Sequence, residues 1–202
     1  NNFEIKIYDS LTEELKKNWQ EFEKKSSHHI FQTFKWQRLW LEKQIEYNNN
    51  VQNCTILVYE NKELIMILPF NIRSNFSVKI LSWSGFPFSD YNIPLIIENR
   101  ELTKDEFILI WRIVLASIQS CDCIVLNNQP ENILYQNNPF YNFLDNKINN
   151  EYYGIKLNQK FELKKNEIDN IRYQSNRLEK LGKLNFKKAK DKNEKKKNFR
   201  FY

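Results

Sequence analysis

Glycine, alanine and proline are scarce in this chain of 202 residues, which has three, two and five of them respectively. No apolar run approaches the roughly 18 residues that a membrane-spanning helix needs, so the sequence predicts no transmembrane segment. Histidine occurs only as His28 and His29, and the cysteines do not have the spacing of zinc ligands. We therefore predict no metal site and favour loop or N-terminal packing of the histidine pair over a role as a metal or base site.

The three cysteines are Cys54, Cys121 and Cys123. A disulfide between Cys121 and Cys123 is sterically poor, because both residues lie on the same face of a predicted strand. The first residues contain no apolar stretch of the kind found in signal peptides. The sequence thus predicts reduced thiols in a cytoplasmic protein.

Asparagine, lysine and isoleucine are the abundant residues, a skew typical of AT-rich coding sequences. Hydrophobic residues make up 41% of the chain and aromatic residues 15%, which is enough for a core and excludes wholesale disorder. The net charge of +6 is concentrated at the carboxyl end, where residues 180–202 carry ten basic and two acidic side chains. The remainder is mildly acidic, so the charge does not favour nucleic acid as the partner.

Hydrophobic periodicity predicts alternating strands and helices. Residues 3–8 alternate as a strand, and Asp9 or Ser10 is expected to cap a helix over 11–25. Its apolar stripe is Leu11, Leu15, Trp19 and Phe22. The other predicted strands cover 54–60, 63–73, 77–83, 93–97, 122–127, 151–163 and 184–189, and the strand over 122–127 is expected to be buried. The other predicted helices cover 33–44, 103–119, a segment opened by Pro130, and 166–181. This order predicts an α+β (α/β-like) fold with a central mixed, mostly antiparallel sheet flanked by helices.

Five ordered patches of sequence resemble one family. They are FQTFKWQRLW at 31–40, LPF at 68–70, LSWSG with DYNIPL over 81–95, IVLNNQP at 124–130, and RYQSNRLEKLG followed by NF over 172–186. Together they resemble the first half of the CelD-like acyltransferases of cellulose and exopolysaccharide synthesis, which belong to the GNAT and Fem-like group. The resemblance implies a GNAT-like domain over 1–165, and a connecting helix with the start of a truncated second domain over 166–202.

The resemblance also implies the chemistry, which is transfer of an acyl group from acyl-CoA (acetyl-CoA) to an amine. Family members carry the donor on their second half, in a loop that needs glycines to approach the pyrophosphate. The glycines here are Gly85, Gly154 and Gly182, and no two are close together. We therefore expect a catalytically incomplete fragment that does not bind acyl-CoA tightly by itself. Its expected partner is a small-molecule or sugar-linked acceptor, whereas the catalytic base and oligomeric state are not assigned.

Candidate substrate contacts lie in the aromatic and amide-rich patches. Trp36 and Trp40 are one helical turn apart, which suits either the wall of a sugar pocket or a core-facing helix. Asp90 and Tyr91 follow a strand, where Asp90 either contacts substrate or accepts hydrogen bonds within a turn. Asn128 follows another strand, where its side-chain amide either bonds to a ligand or belongs to a turn.

Basic side chains near the carboxyl end add two further hypotheses. Arg172 and Arg177 on the predicted last helix either neutralise phosphates or form a solvated face. The lysine-rich tail with its interleaved aromatic residues offers an alternative function, a non-enzymatic module that binds nucleic acid or an anionic membrane surface.

Overall fold

The computed structural model describes residues 2–47, 50–118, 121–134, 136–144 and 164–182. Internal contacts divide the chain into two units, Asn1–Ile148 and Asn149–Tyr202. The predicted strands over 151–163 and 184–189 and the lysine-rich tail from 183 onward lie outside the described residues.

Six strands of the first unit form one sheet. They are β1 (Phe3–Tyr8), β2 (Val51–Glu60), β3 (Glu63–Asn75), β4 (Val78–Trp83), β5 (Leu95–Ile96) and β6 (Cys123–Val125). The strand order is β1-β2-β3-β4-β6, and β5 pairs with the first part of β3. Every pairing is antiparallel except that of β4 with β6, which is parallel. A separate short hairpin joins β7 (Asn132–Ile133) to β8 (Gln136–Asn137).

Four helices accompany the sheet among the described residues of this unit. They are α1 (Glu13–Glu23), α2 (Phe34–Tyr47), α3 (Lys104–Ser117) and α4 (Pro139–Phe143), with a single 3₁₀ turn at Ile30–Gln32 before α2. The prediction of an α+β fold with a mixed, mostly antiparallel sheet flanked by helices is confirmed. Within the described ranges, every helix is too short or too polar to cross a bilayer.

The two sheet faces carry different cores. Alternate residues of a strand point to opposite faces, so Phe70 and Trp83 face one way and Ile67 the other. The first face packs against α3 and α4, where Phe140 is fully buried and contacts the rings of Phe70, Trp83, Phe107 and Trp111. The second face packs against α1 through Leu15, Trp19 and Phe22, which confirms the predicted stripe of that helix.

Three local predictions are wrong. The α1 cap is Thr12, whose Oγ1 accepts from the Leu15 amide at 3.1 Å, and not Asp9 or Ser10. Pro130 does not open a helix, because a hairpin intervenes and Pro139 opens α4 behind the capping residue Asn138. The strand near 122–127 is not buried, because β6 lies at the end of the described strand order with both Cys123 and Val125 exposed.

The second unit contributes one described helix, α5 (Lys165–Glu179). Its bounds agree with the helix predicted over 166–181. None of its residues is buried, and Gly182 follows it with an amide that donates to the Leu178 carbonyl at 3.2 Å. The predicted domain boundary near 165 stays a prediction.

Candidate functional site

The loops that follow β4 and β6 meet at one edge of the sheet. These strands are parallel neighbours, with Ser82 opposite Val125, so their carboxyl ends lie side by side. In α/β sheets the carboxyl ends of parallel strands are the usual place for a ligand, since the following loops converge there. The loop over 84–92 and the loop over 126–130 therefore define the candidate site.

Asparagine side chains join the two loops. Asn128 Nδ2 donates to the Ser89 carbonyl at 3.0 Å, and Asn92 Nδ2 donates to the Asn127 carbonyl at 3.1 Å. The Asn92 amide also donates to the Asn128 carbonyl at 2.8 Å. Asn128 has a φ of 56°, in the left-handed region that asparagine tolerates better than most residues. The predicted site residue Asn128 thus lies at the site, where its amide nitrogen fixes the loop.

Trp36 reaches this loop from the first turn of α2. Its indole Nε1 donates to Ser89 Oγ at 3.1 Å. The turn itself is closed by the Phe88 and Ser89 amides, which donate to the Gly85 carbonyl at 2.8 and 2.9 Å. Gly85 has a φ of +100°, and a Cβ atom there would lie 2.1 Å from Ser89 Oγ. Glycine is therefore required for Ser89 to occupy its place beneath Trp36.

Four rings form an aromatic cluster beside the loop: His29, Phe31, Trp36 and Tyr91. Phe31 lies 5.0 Å from both His29 and Trp36, and Tyr91 lies 5.5 Å from His29, measured between ring centroids. These rings are half-buried, and Asp90 stands exposed next to Tyr91. The structure thus brings Trp36, Asp90, Tyr91 and Asn128 together, and such a surface can stack a ring-shaped ligand and offer it a carboxylate.

Trp40 occupies a more enclosed position than Trp36. Its side chain is only 7% exposed and packs with Leu41 and Val51. The guanidinium of Arg73 lies over the Trp40 ring at 5.5 Å and over the Phe86 ring at 5.3 Å, and it donates to the Phe86 carbonyl. Burial lowers the pKa of Arg73. Arg73, which lies in β3, thereby connects the loop after β4 to the sheet.

Arg172 and Arg177 lie on α5, in the second unit. Both side chains are exposed, and Arg172 Nη1 is 3.6 Å from Asp169 Oδ1 on the same helix. The phosphate-binding and solvated-face alternatives for these residues stay predictions.

The donor cofactor that the resemblance implies does not fit the helix that follows the candidate loop. The start of α3 is filled by the protein itself, because Thr103 Oγ1 accepts from the Glu106 amide at 3.3 Å and Glu106 Oε2 accepts from the Thr103 amide at 2.9 Å. Asp105 adds another carboxylate there, and no glycine lies in the segment leading into the helix. A pyrophosphate there would meet the Asp105 and Glu106 carboxylates, and the Thr103 and Glu106 amides already donate to side chains.

Sequence reasoning missed several residues of the site. Ser89, Asn92 and Arg73 were not singled out, since their contacts join segments far apart in the chain. Arg73 did carry a signal, because it is an isolated guanidinium at the end of an apolar strand pattern.

The histidine pair is predicted to pack within a loop. The ring contacts of His29 with Phe31 and Tyr91 agree with that interpretation. Among the described residues, no three metal-ligating side chains converge.

Comparison with known proteins gives limited similarity. No family model matches the chain, and no curated protein matches it. One similar solved structure is an apo aminoglycoside antibiotic 6'-N-acetyltransferase from Acinetobacter haemolyticus, at 15% identity and a TM-score of 0.39, covering 77% of this chain and 99% of that one. Another is a glucosamine-6-phosphate N-acetyltransferase from Arabidopsis thaliana, at 12% identity and a TM-score of 0.32, covering 80% of this chain and 100% of that one. These TM-scores are too low to assign a role to any residue here.

Proposed function

We propose that the chain is a GNAT-like N-acyltransferase domain of the CelD-like type, which acts in polysaccharide or cell-envelope biosynthesis. The first unit supplies the acceptor side of the reaction. The observation that carries the proposal is the pairing of β4, which is antiparallel with β3 and parallel with β6. The connection from β4 to β6 contains α3. The polar and aromatic loops lie at the carboxyl ends of β4 and β6. The five sequence patches support the same assignment.

The acceptor in this proposal is a small molecule or a sugar-linked amine. A sugar ring would stack on the aromatic cluster, while Asp90 and Tyr91 contact its polar groups and Asn128 holds the loop in place. We assign no donor site to the start of α3, because the side chains of Thr103 and Glu106 already accept hydrogen bonds from amides there. By itself the chain is therefore expected to be catalytically incomplete, and we assign no catalytic residue.

Nuclear magnetic resonance of the indole groups tests the acceptor side. Cellobiose, a β-linked glucose disaccharide, is titrated into the protein while the Nε1–H resonances of Trp36 and Trp19 are followed. We expect the Trp36 resonance to shift, because its ring borders the site. Trp19 donates to the Gln32 carbonyl at 3.0 Å in the core and serves as the internal control. An unmoved Trp36 resonance, or equal shifts of both, would contradict the proposal.

Acetyl-CoA tests the donor side. Calorimetric titration is expected to show no micromolar binding, and release of free thiol from acetyl-CoA in the presence of primary amines is expected to stay at background. Micromolar binding or amine-dependent thiol release by this chain alone would overturn the assignment to the acceptor side.

A further inference from the structure

Trp40 and Arg73 contact each other beside the loop over 84–92, and the function proposed above gives neither of them a role. Trp40 lies one helical turn after Trp36 on α2, and Arg73 lies near the end of β3. The Arg73 Cζ atom is 5.5 Å from the centroid of the Trp40 ring and 5.3 Å from that of the Phe86 ring. The guanidinium also donates to the Phe86 carbonyl. Arg73 therefore links α2, through Trp40, to the loop, through Phe86.

The same helix contacts the loop at a second point. Trp36 Nε1 donates to Ser89 Oγ at 3.1 Å, and the Ser89 amide donates to the Gly85 carbonyl at 2.9 Å. Phe86 directly follows Gly85, so this one tight turn separates the contact of Arg73 from the contact of Trp36. A displacement of Phe86 would therefore displace Ser89, and with it the indole ring that borders the candidate site.

The charge of Arg73 is not compensated by an acidic partner. Its side chain is half-buried, and its Nε atom is buried and has no acceptor among the described residues. No carboxylate of that part of the chain pairs with it, and burial lowers its pKa. A half-buried cation without an opposite charge costs free energy that an apolar side chain of similar size does not. The stability of the core therefore does not explain why a guanidinium occupies this position.

We propose that Arg73 is a positioning residue for the candidate site, and that it acts through Phe86 on the places of Ser89 and Trp36. Trp40 supports it from α2. A planar guanidinium can stack on aromatic rings and donate in its own plane at the same time, whereas the ammonium group of lysine has no such plane. The effect on ligand binding rests on the proposed function, whereas the effect on Trp36 is a property of the ligand-free protein.

Arg73→Lys in the full chain tests the proposal, because it keeps the charge and loses the planar group. In the ligand-free protein we expect the Nε1–H resonance of Trp36 to shift and that of Trp19 to stay, since Trp19 donates to the Gln32 carbonyl in the core. Cellobiose is expected to bind at least about fivefold more weakly than it binds the unchanged chain. An unmoved Trp36 resonance would overturn the proposal.

Arg73→Met separates positioning from stability. Methionine fills a similar volume against Trp40 and supplies neither the charge nor the donor. We expect a shifted Trp36 resonance and weaker cellobiose binding, as in Arg73→Lys, with a midpoint of urea denaturation that does not fall. A lower midpoint together with an unchanged cellobiose affinity would show that Arg73 serves the core alone, and it would overturn the proposal.

The matched controls are Arg112→Lys and Arg112→Met. Arg112 is exposed on α3, which packs against the first face of the sheet, so both variants are expected to leave the Trp36 resonance and the cellobiose affinity unchanged. Equal effects of the Arg73 and Arg112 variants would contradict the proposal. If cellobiose does not bind even the unchanged chain, the proposed function fails, and the Trp36 resonance of the ligand-free variants still decides the role of Arg73: a shift supports it and an unmoved resonance overturns it.

Discussion

At the scale of single residues, Gly85 is the position whose substitution is easiest to forecast. Gly85→Ala places a methyl group 2.1 Å from Ser89 Oγ at a φ of +100°, so the turn must rearrange. We expect a loss of about 1–3 kcal/mol in the free energy of unfolding, measured by urea denaturation. The Nε1–H resonance of Trp36 should shift as well, because its hydrogen-bond acceptor Ser89 Oγ is displaced.

Gly182→Ala is the matched control for this prediction. No atom of the described residues lies within 4 Å of a Cβ built there, so the substitution should change stability by no more than about 0.5 kcal/mol. Equal losses for the two variants would show that the cost at Gly85 does not come from the crowding against Ser89.

Sequence reasoning found the part of the site that lies in short continuous stretches. Asp90 and Tyr91 could be selected because they follow a strand, and Trp36 because it lies in an aromatic helix pattern. Their coupling through Ser89 and Asn92 could not be seen, since it depends on how two loops from distant parts of the chain meet. Tertiary hydrogen bonds of this kind leave no local pattern.

At the scale of elements, the start of α3 has the most informative electrostatics. The Arg100 guanidinium, helped by the Thr103 amide, lowers the pKa of Glu106 from 4.5 to about 2. Because the pKa is lower in the folded state, this carboxylate stabilises the fold above its unfolded pKa, and the contribution is lost as the pH falls from about 4.5 towards 2.

Glu106→Gln tests this contribution. We expect a loss of about 1–3 kcal/mol at neutral pH and a flatter decline of stability in acid, measured by urea denaturation across a pH series. Asp105→Asn, on the same helical turn, is the control and should cost less than about 1 kcal/mol. An unaltered acid profile in Glu106→Gln would exclude Glu106 as the source of the dependence.

Element types were predictable where the periodic pattern is long, and their ends were not. The hairpin at Asn61 and Lys62 was found correctly, and both residues adopt the positive φ angles, 50° and 71°, that suit a tight two-residue turn. The predicted cap of α1 is wrong because Asp9, Ser10 and Thr12 are all good capping residues, and their types alone do not show that the helix begins after Thr12. Pro130 and Pro139 can both open a helix, but only Pro139 follows a good capping residue, Asn138.

At the scale of the whole molecule, all the hydrophobic clusters formed by the described residues lie within 1–148. We therefore expect a chain ending at residue 148 to melt cooperatively, near the temperature of the full chain, as followed by circular dichroism. A non-cooperative melt would indicate that residues beyond 148 contribute to the core.

A chain ending at residue 138 is the contrasting case. It loses α4 and with it Phe140, whose fully buried ring contacts four other aromatic rings. Removing such a side chain costs about 3–5 kcal/mol, so this shorter chain should melt at a clearly lower temperature or not fold. Equal melting temperatures for the two chains would contradict the importance of α4.

The parallel pairing of β4 with β6 has a consequence for the order in which the sheet assembles. The strands from β2 to β4 follow one another through tight turns, whereas β6 joins only after residues 84–122 have closed a long loop. Long-range closure is slow, and a three-residue strand at the end of the described order is weakly held. Among the strands of this sheet, amide deuterium uptake should therefore be fastest at β6 and slowest in β2 and β3. The candidate site then lies beside the strand whose hydrogen bonds open first.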